Sequence, residues 1–102
     1  QMIKEALILE EAGADLMVVE CVPSSLGGDL SAALNIPVIG IGAGPGTDGQ
    51  VLVLQDMLGI SQRLPKFSKD FLKESNSIQD AITAFGNEVR SGTFPAPEHS
   101  FK

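Results

Sequence analysis

Cysteine is almost missing from this chain of 102 residues. Cys21 is the only one, so no internal disulfide can form, and a reducing, cytoplasmic setting is expected rather than secretion. Histidine is just as scarce. His99 stands alone in a proline-flanked stretch, with no second His or Cys at metal-ligand spacing, and Asp48 and Asp56 are too isolated to pair, so spacing assembles no metal site. Positive charge is short as well: seven Lys plus Arg face thirteen Asp plus Glu, a net charge of −6, which argues against nucleic acid or an anionic membrane surface as partner. No apolar run approaches the ~20 residues of a membrane span, and the first residues lack the basic and apolar regions of a signal peptide.

The charge that is present is uneven. Residues 1 to 60 hold eight acids against Lys4 alone, whereas Arg63, Lys66, Lys69 and Lys73 form a small basic cluster. Such a cluster is read either as a solvated face or as a contact for phosphate or polyglutamate. The length suits one small α/β domain with a real core and no low-complexity segment. The opening, Gln1-Met2-Ile3, reads as the middle of a helix, which leads us to expect a preceding segment.

Helical periodicity places Met2, Ile3, Ala6, Leu7 and Leu9 on one side of a first helix, with Gly13 as its stop. The apolar run Leu16-Met17-Val18-Val19 then ends on Glu20-Cys21-Val22-Pro23 and predicts a strand over about residues 15–20, buried on both faces in a parallel sheet. Ser24 or Ser25 is expected to cap a second helix reaching about Asn35, with a short or loosened first turn at Gly27-Gly28. Val38-Ile39-Gly40-Ile41-Gly42 predicts a second parallel strand. The irregular stretch Gly42 to Gly49 is too short for a full crossover helix. Beyond it, residues 50–55 read best as a strand followed by a helical turn around Asp56 to Leu58, and alternatively Val51 to Leu58 is a buried helix. A short helix is expected from Leu64 to about Glu74. Ser77, with Asp80 three residues on, caps a final helix carrying Ile78, Ala81, Ile82, Phe85 and Val89 and ending before Gly92. Pro95 and Pro97 predict an extended tail.

Two features invite chemistry. In parallel α/β folds functional groups gather at the carboxyl ends of strands, which singles out Glu20. It is either a solvated or paired strand-end carboxylate, or a general base that Met17, Val19 and Val22 partly desolvate and so make more basic toward a weakly acidic carbon. Such a base needs an electrophile, usually a metal, to hold the enolate that forms. The glycine-rich loop at Gly42, Ala43 and Gly44 either builds tight turns or contacts a ligand. A dinucleotide fingerprint beginning at Gly40 fails at Pro45, and a P-loop beginning at Gly44 fails at Gln50 and Val51. Cys21 is expected to be a buried strand-end residue and His99 a structural or exposed one.

Five blocks taken together carry a more specific signal. Glu20-Cys21-Val22-Pro23, the run Ile36 to Gly44, the run Asp48 to Val53, Pro65-Lys66-Phe67 and Glu98-His99-Ser100-Phe101 resemble, in order and spacing, the ketopantoate hydroxymethyltransferase family. The resemblance implies the carboxyl-terminal part of a (β/α)8 TIM barrel of the phosphoenolpyruvate/pyruvate group. It also implies transfer of a hydroxymethyl group from 5,10-methylenetetrahydrofolate to α-ketoisovalerate, giving ketopantoate for pantothenate biosynthesis. In that setting Glu20 would take the C3 proton. Mg2+ would hold the keto acid through ligands outside this chain, and Gly42, Ala43 and Gly44 would lie near substrate or folate. The family's large subunit rings imply a homo-oligomer, decamer-like, for the intact protein, with this chain alone inactive or serving as an assembly module. Gly27-Gly28 and Gln55 depart from the family's usual residues.

Overall fold

The first turn in the chain is set by its glycine. A computed structural model describes residues 1–102 and shows helix α1 over Met2–Glu11. Gly13, at φ +115°, donates its N–H to Glu10 O at 3.1 Å while Ala14 N–H reaches Leu9 O at 3.1 Å. That pair of bonds satisfies the last carbonyls of the helix and requires the left-handed backbone glycine tolerates. Strand β1, Met17–Glu20, follows directly; helix α2, Ser24–Ala33, leads into β2, Val38–Ile41, and β3 is only Gly49–Gln50. A short helix α3 spans Leu54–Met57 and a long one, α4, spans Ile78–Ser91.

The sheet has the order β1-β2-β3 and is parallel throughout, with Met17 opposite Val38, Glu20 opposite Ile41 and Ile39 opposite Gly49. Helices α1 and α2 cover one face. Ala6, Val19, Val22, Leu30, Leu34, Val38 and Ala43 make the core there, and Leu30 and Val38 are fully buried. Each of those two side chains contributes roughly 1.5–3 kcal/mol relative to exposure. Glu10 ties the layer together, its Oε2 accepting from Asn35 N–H and from Ile36 N–H at 3.0 Å.

A second core lies apart from the sheet. Met57, Leu58, Phe71, Ala81 and Phe94 are buried there, with Phe85 packed on them. The rings of Phe71, Phe85 and Phe94 meet edge to face at centroid distances of 5.3–6.0 Å, the arrangement that aligns ring edges with π faces. Helix α4 belongs to this cluster. Its start is capped as its sequence predicts, Ser77 Oγ accepting from Asp80 N–H at 3.0 Å.

Several expectations need correction, beginning with β1, which is covered on one face only. Residues 50–55 are not a strand: pairing ends at Gln50, the last sheet bond runs from Val51 N–H to Gly40 O, and the chain then turns into α3. No helix forms from Leu64 to Glu74. There the Asp70 carboxylate captures the N–H groups of Leu72 and Lys73, and Phe71 N–H bonds Met57 O at 2.8 Å, so the backbone is committed to turns. The first turn of α2 is closed despite its glycines, Gly27 N–H reaching Pro23 O at 3.0 Å, and neither serine caps it from the side chain. Finally, the tail is not wholly extended: Pro97–His99 form a 3₁₀ turn, because proline at the first position lacks only an N–H that would be unpaired anyway.

Candidate functional site

Strand alternation decides what surrounds Glu20. Met17 and Val19 point to the helix-covered core, so Val18 and Glu20 point the other way, beside their register partners Ile39 and Ile41. No helix covers that face: Val18 is 57 % exposed, and Glu20 is exposed too. Met17, Val19 and Val22, expected beside Glu20, pack into the core on the opposite face and meet it only along the cleft beside α1. Beside β1 an open cleft of about 230 Å³ runs along α1, lined mainly by apolar side chains, with Glu20 and Glu5 its only carboxylates.

The turn after Glu20 is unusual. Cys21 sits at φ +54°, a left-handed conformation uncommon for a residue other than glycine, and its side chain is exposed rather than buried as expected. The physical reason lies one residue on: Val22 must return to the core, and the reversal at Cys21 brings it there. Backbone bonds from Cys21 N–H to Ile41 O at 2.9 Å and from Val22 N–H to Gly42 O at 3.1 Å fasten this turn to the start of the glycine-rich loop. Glu20 and that loop are thus neighbours at the carboxyl end of the sheet.

Gly42, Ala43 and Gly44 are all buried. A Cβ on Gly42 would come within 3.0 Å of the Phe67 ring and 3.3 Å of the Phe101 ring. Gly44, at φ +80°, lies against Ser24, and the carbonyl of Ala43 lies against Gly27. Gln50 Nε2 holds the loop from its far side, donating to Gly44 O at 2.9 Å and to Thr47 Oγ1 at 3.1 Å. Close packing by Ser24, Gly27, Phe67 and Phe101 accounts for small residues here, and nothing in the sequence shows that these four meet at the loop.

The other candidates are dispersed. Asp48 Oδ2 accepts from Val38 N–H at 2.8 Å and Ser31 Oγ at 3.5 Å, tying its loop to β2 and α2, and Asp56 accepts from Ser61 at 2.6 Å, so each acid is already occupied with structure. The basic cluster is partly spent: Lys69 pairs with Glu88 at 2.9 Å and lies 5.0 Å from the Phe71 ring, while Lys66 lies 4.9 Å from the Phe101 ring. His99 packs on Phe94 with ring centroids 5.0 Å apart, and its Nδ1 accepts from Ala96 N–H, which leaves the neutral ring's proton on Nε2. Burial holds this imidazole below its ordinary value of 6.5, with Lys69 acting in the same direction and Glu98 and Glu88 opposing. No three His, Cys, Asp or Glu side chains converge. Glu20 by itself does not make a magnesium site, and its chemistry is therefore considered without the ion.

The sequence as a whole has close relatives among known proteins. The 3-methyl-2-oxobutanoate hydroxymethyltransferase of Alteromonas mediterranea is 56 % identical over 103 residues, matching 100 % of this chain and 39 % of its own length. Those of Saccharophagus degradans and Idiomarina loihiensis are 55 % and 56 % identical, over 99 % and 98 % of the chain and 37 % and 38 % of their own lengths. The chain therefore spans under two fifths of the curated relatives it matches. Residues 1–97 match the family described as ketopantoate hydroxymethyltransferase, and with nearly the whole chain covered at this identity, the protein belongs to that family.

Proposed function

We propose that this chain supplies the general base of a hydroxymethyl transfer from 5,10-methylenetetrahydrofolate to α-ketoisovalerate, giving ketopantoate in pantothenate biosynthesis, and that it does so within a longer protein like its relatives. The observation that carries the reading is the position of Glu20, last in β1 on the face that α1 and α2 leave bare. In a closed (β/α)8 barrel the helices lie outside and the bare face inside, so Glu20 would stand at the mouth of the interior, where such barrels place their chemistry. We accordingly read the chain as the carboxyl-terminal part of that barrel.

The Glu20 carboxylate takes the proton from C3 of the keto acid, and the electron pair of that C–H bond becomes available at C3. The methylene carbon, held between two folate nitrogens, exchanges one C–N bond for the bond to C3 and the other for a bond to water oxygen; the proton taken from C3 and one proton of the water pass to the two nitrogens, releasing tetrahydrofolate. Mg2+ would hold the keto acid through ligands outside this chain and would stabilise the enolate as a Lewis acid. Gly42, Ala43 and Gly44 line the same end of the sheet and shape the approach to it through their backbone. A cytoplasmic location accords with the single exposed thiol, and a decamer-like ring of subunits accords with apolar side chains such as Ile8 and Leu9, more than half exposed on α1. No helix is long and apolar enough to cross a membrane.

The test is Glu20→Gln in the complete protein, with turnover and deuterium exchange at C3 of α-ketoisovalerate as readouts. General-base assistance contributes about 10²–10⁴-fold, so both rates should fall by that order. Exchange at the normal rate would remove Glu20 from the role.

A second reading has its own support. The outer edge of β1 is unpaired and the Val18–Ile39 face is bare, so the 102 residues in isolation are suited to self-association. In this reading they act as an assembly module without chemistry. Light scattering of the isolated chain decides it, a stable monomer contradicting the reading.

A further inference from the structure

Helix α2 begins directly behind the Glu20 turn, and its N-terminus is capped by no local side chain. The carbonyl of Phe101 does that work instead. It accepts from Ser24 N–H at 2.9 Å and from Ser24 Oγ at 3.1 Å, so both lone pairs of one oxygen are used on one residue. Pro23 and Phe101 form an isolated parallel bridge, which sets Phe101 alongside the turn.

The ring of the same residue is anchored separately. It lies against Gly42, with Lys66 4.9 Å from its centroid. Gly42 O in turn holds Val22 N–H. Phe101 therefore grips the Glu20 turn on both sides, through its carbonyl on Ser24 and through its ring on the loop that Val22 is bonded to. Both grips act just after Glu20 and Cys21, and Cys21 holds a left-handed backbone at φ +54°, a strained conformation for a residue with a side chain. A turn under such strain keeps its geometry only where its surroundings enforce it.

We propose that Phe101 is a positioning residue for Glu20: the 93–102 segment is a strap that fixes the turn carrying the carboxylate, so that loosening it misplaces the base without removing any group that touches substrate. The proposal rests on the reading of Glu20 as the base. It assigns to a residue 81 positions away a control over proton removal that is separate from binding of the keto acid.

The experiment compares Phe101→Ala, Ser24→Ala and Glu20→Gln in the complete protein, measuring kcat and KM for C3 deuterium exchange of α-ketoisovalerate together with the thermal midpoint. Misplacement of a catalytic group by about 1 Å costs up to ~10²-fold, so Phe101→Ala should lower kcat by roughly 10- to 100-fold while KM changes less than about twofold. Phe101→Ala removes the ring's hold on Gly42 and leaves the main-chain carbonyl in place, whereas Ser24→Ala removes one of the two bonds to that carbonyl and should lower kcat less; if Phe101→Ala does not fold, Ser24→Ala decides. An unchanged kcat in both variants, or a rise in KM that accounts for the whole loss, overturns the strap while a slow Glu20→Gln leaves the base reading standing. Normal exchange in Glu20→Gln overturns both.

Discussion

Gly27 and Gly28 are adjacent in α2, yet alanine at the two positions should act in opposite directions. Both lie within the helix and neither needs a left-handed backbone, so each substitution gains about 1 kcal/mol of helix propensity. At Gly28 nothing lies within 4 Å of the new Cβ, and the gain is realised in full. At Gly27 the Cβ would collide with Ala43 O and lie 3.3 Å from its carbonyl carbon. That oxygen belongs to a buried main chain and cannot swing aside, so the helix or the loop must shift, at the ~1–3 kcal/mol typical of overpacking or more. Because the propensity gain is common, the gap between the two variants isolates the steric cost. At roughly 4–8 °C per kcal/mol for a chain of about this size, Gly28→Ala should melt at least ~4 °C above Gly27→Ala, with the parent at or between them. Thermal and guanidinium unfolding of the three proteins supply the comparison. Equal midpoints for the two variants would mean that α2 does not press on Ala43, and the account of the buried loop would fail with it.

Asp48 gives a second check: Asp48→Ala strips the partner from Val38 N–H at the start of β2 and should cost about 1–3 kcal/mol in denaturant unfolding, while Asp48→Asn, which keeps an acceptor oxygen, should cost less. Acidification tests His99. Its folded value lies below 6.5, so as pH falls through 6.5 the unfolded chain takes up a proton that the folded one refuses; stability is fully present above 6.5 and is lost as pH falls through the folded value. The thermal midpoint should therefore drop more steeply from about pH 7.5 to 5 in the parent than in His99→Gln, and equal slopes would show that the ring does not couple to folding.

What could be foreseen here was local, and what could not was a contact between distant parts of the chain. Helices α1 and α4 announce themselves by apolar spacing and by stops at Gly13 and Gly92, and β1 and β2 by continuous apolar runs. The N-terminus of α2 misleads because Ser24 is a sound capping residue whose hydroxyl is already given to Phe101, 77 positions on. Residues 50–55 mislead for a related reason. Val51 to Leu54 are as apolar as a strand should be, but β2 ends at Ile41 and offers no further backbone to pair with, so the run leaves the sheet. From Leu64 to Glu74 the competing force is a side chain: once Asp70 has taken two N–H groups, a helical ladder cannot use them.

The same division runs through the site. That a carboxylate ends β1 follows from the order of residues alone, because the apolar run Leu16 to Val19 stops at Glu20. Which face the carboxylate takes follows from alternation once Val19 is known to be buried. Its surroundings follow from neither, since they depend on Cys21. Had the chain continued in β geometry, Val22 would lie on the bare face beside Val18 and Glu20, giving Glu20 an apolar neighbour. The reversal at Cys21 sends Val22 to the helix side instead, where it joins Val19 and Leu30. The core gains a valine and Glu20 loses its cover, so any desolvation of this carboxylate must come from whatever closes over the bare face of the sheet. A single left-handed residue thus separates the part of the turn that holds the fold together from the part that is free to do chemistry.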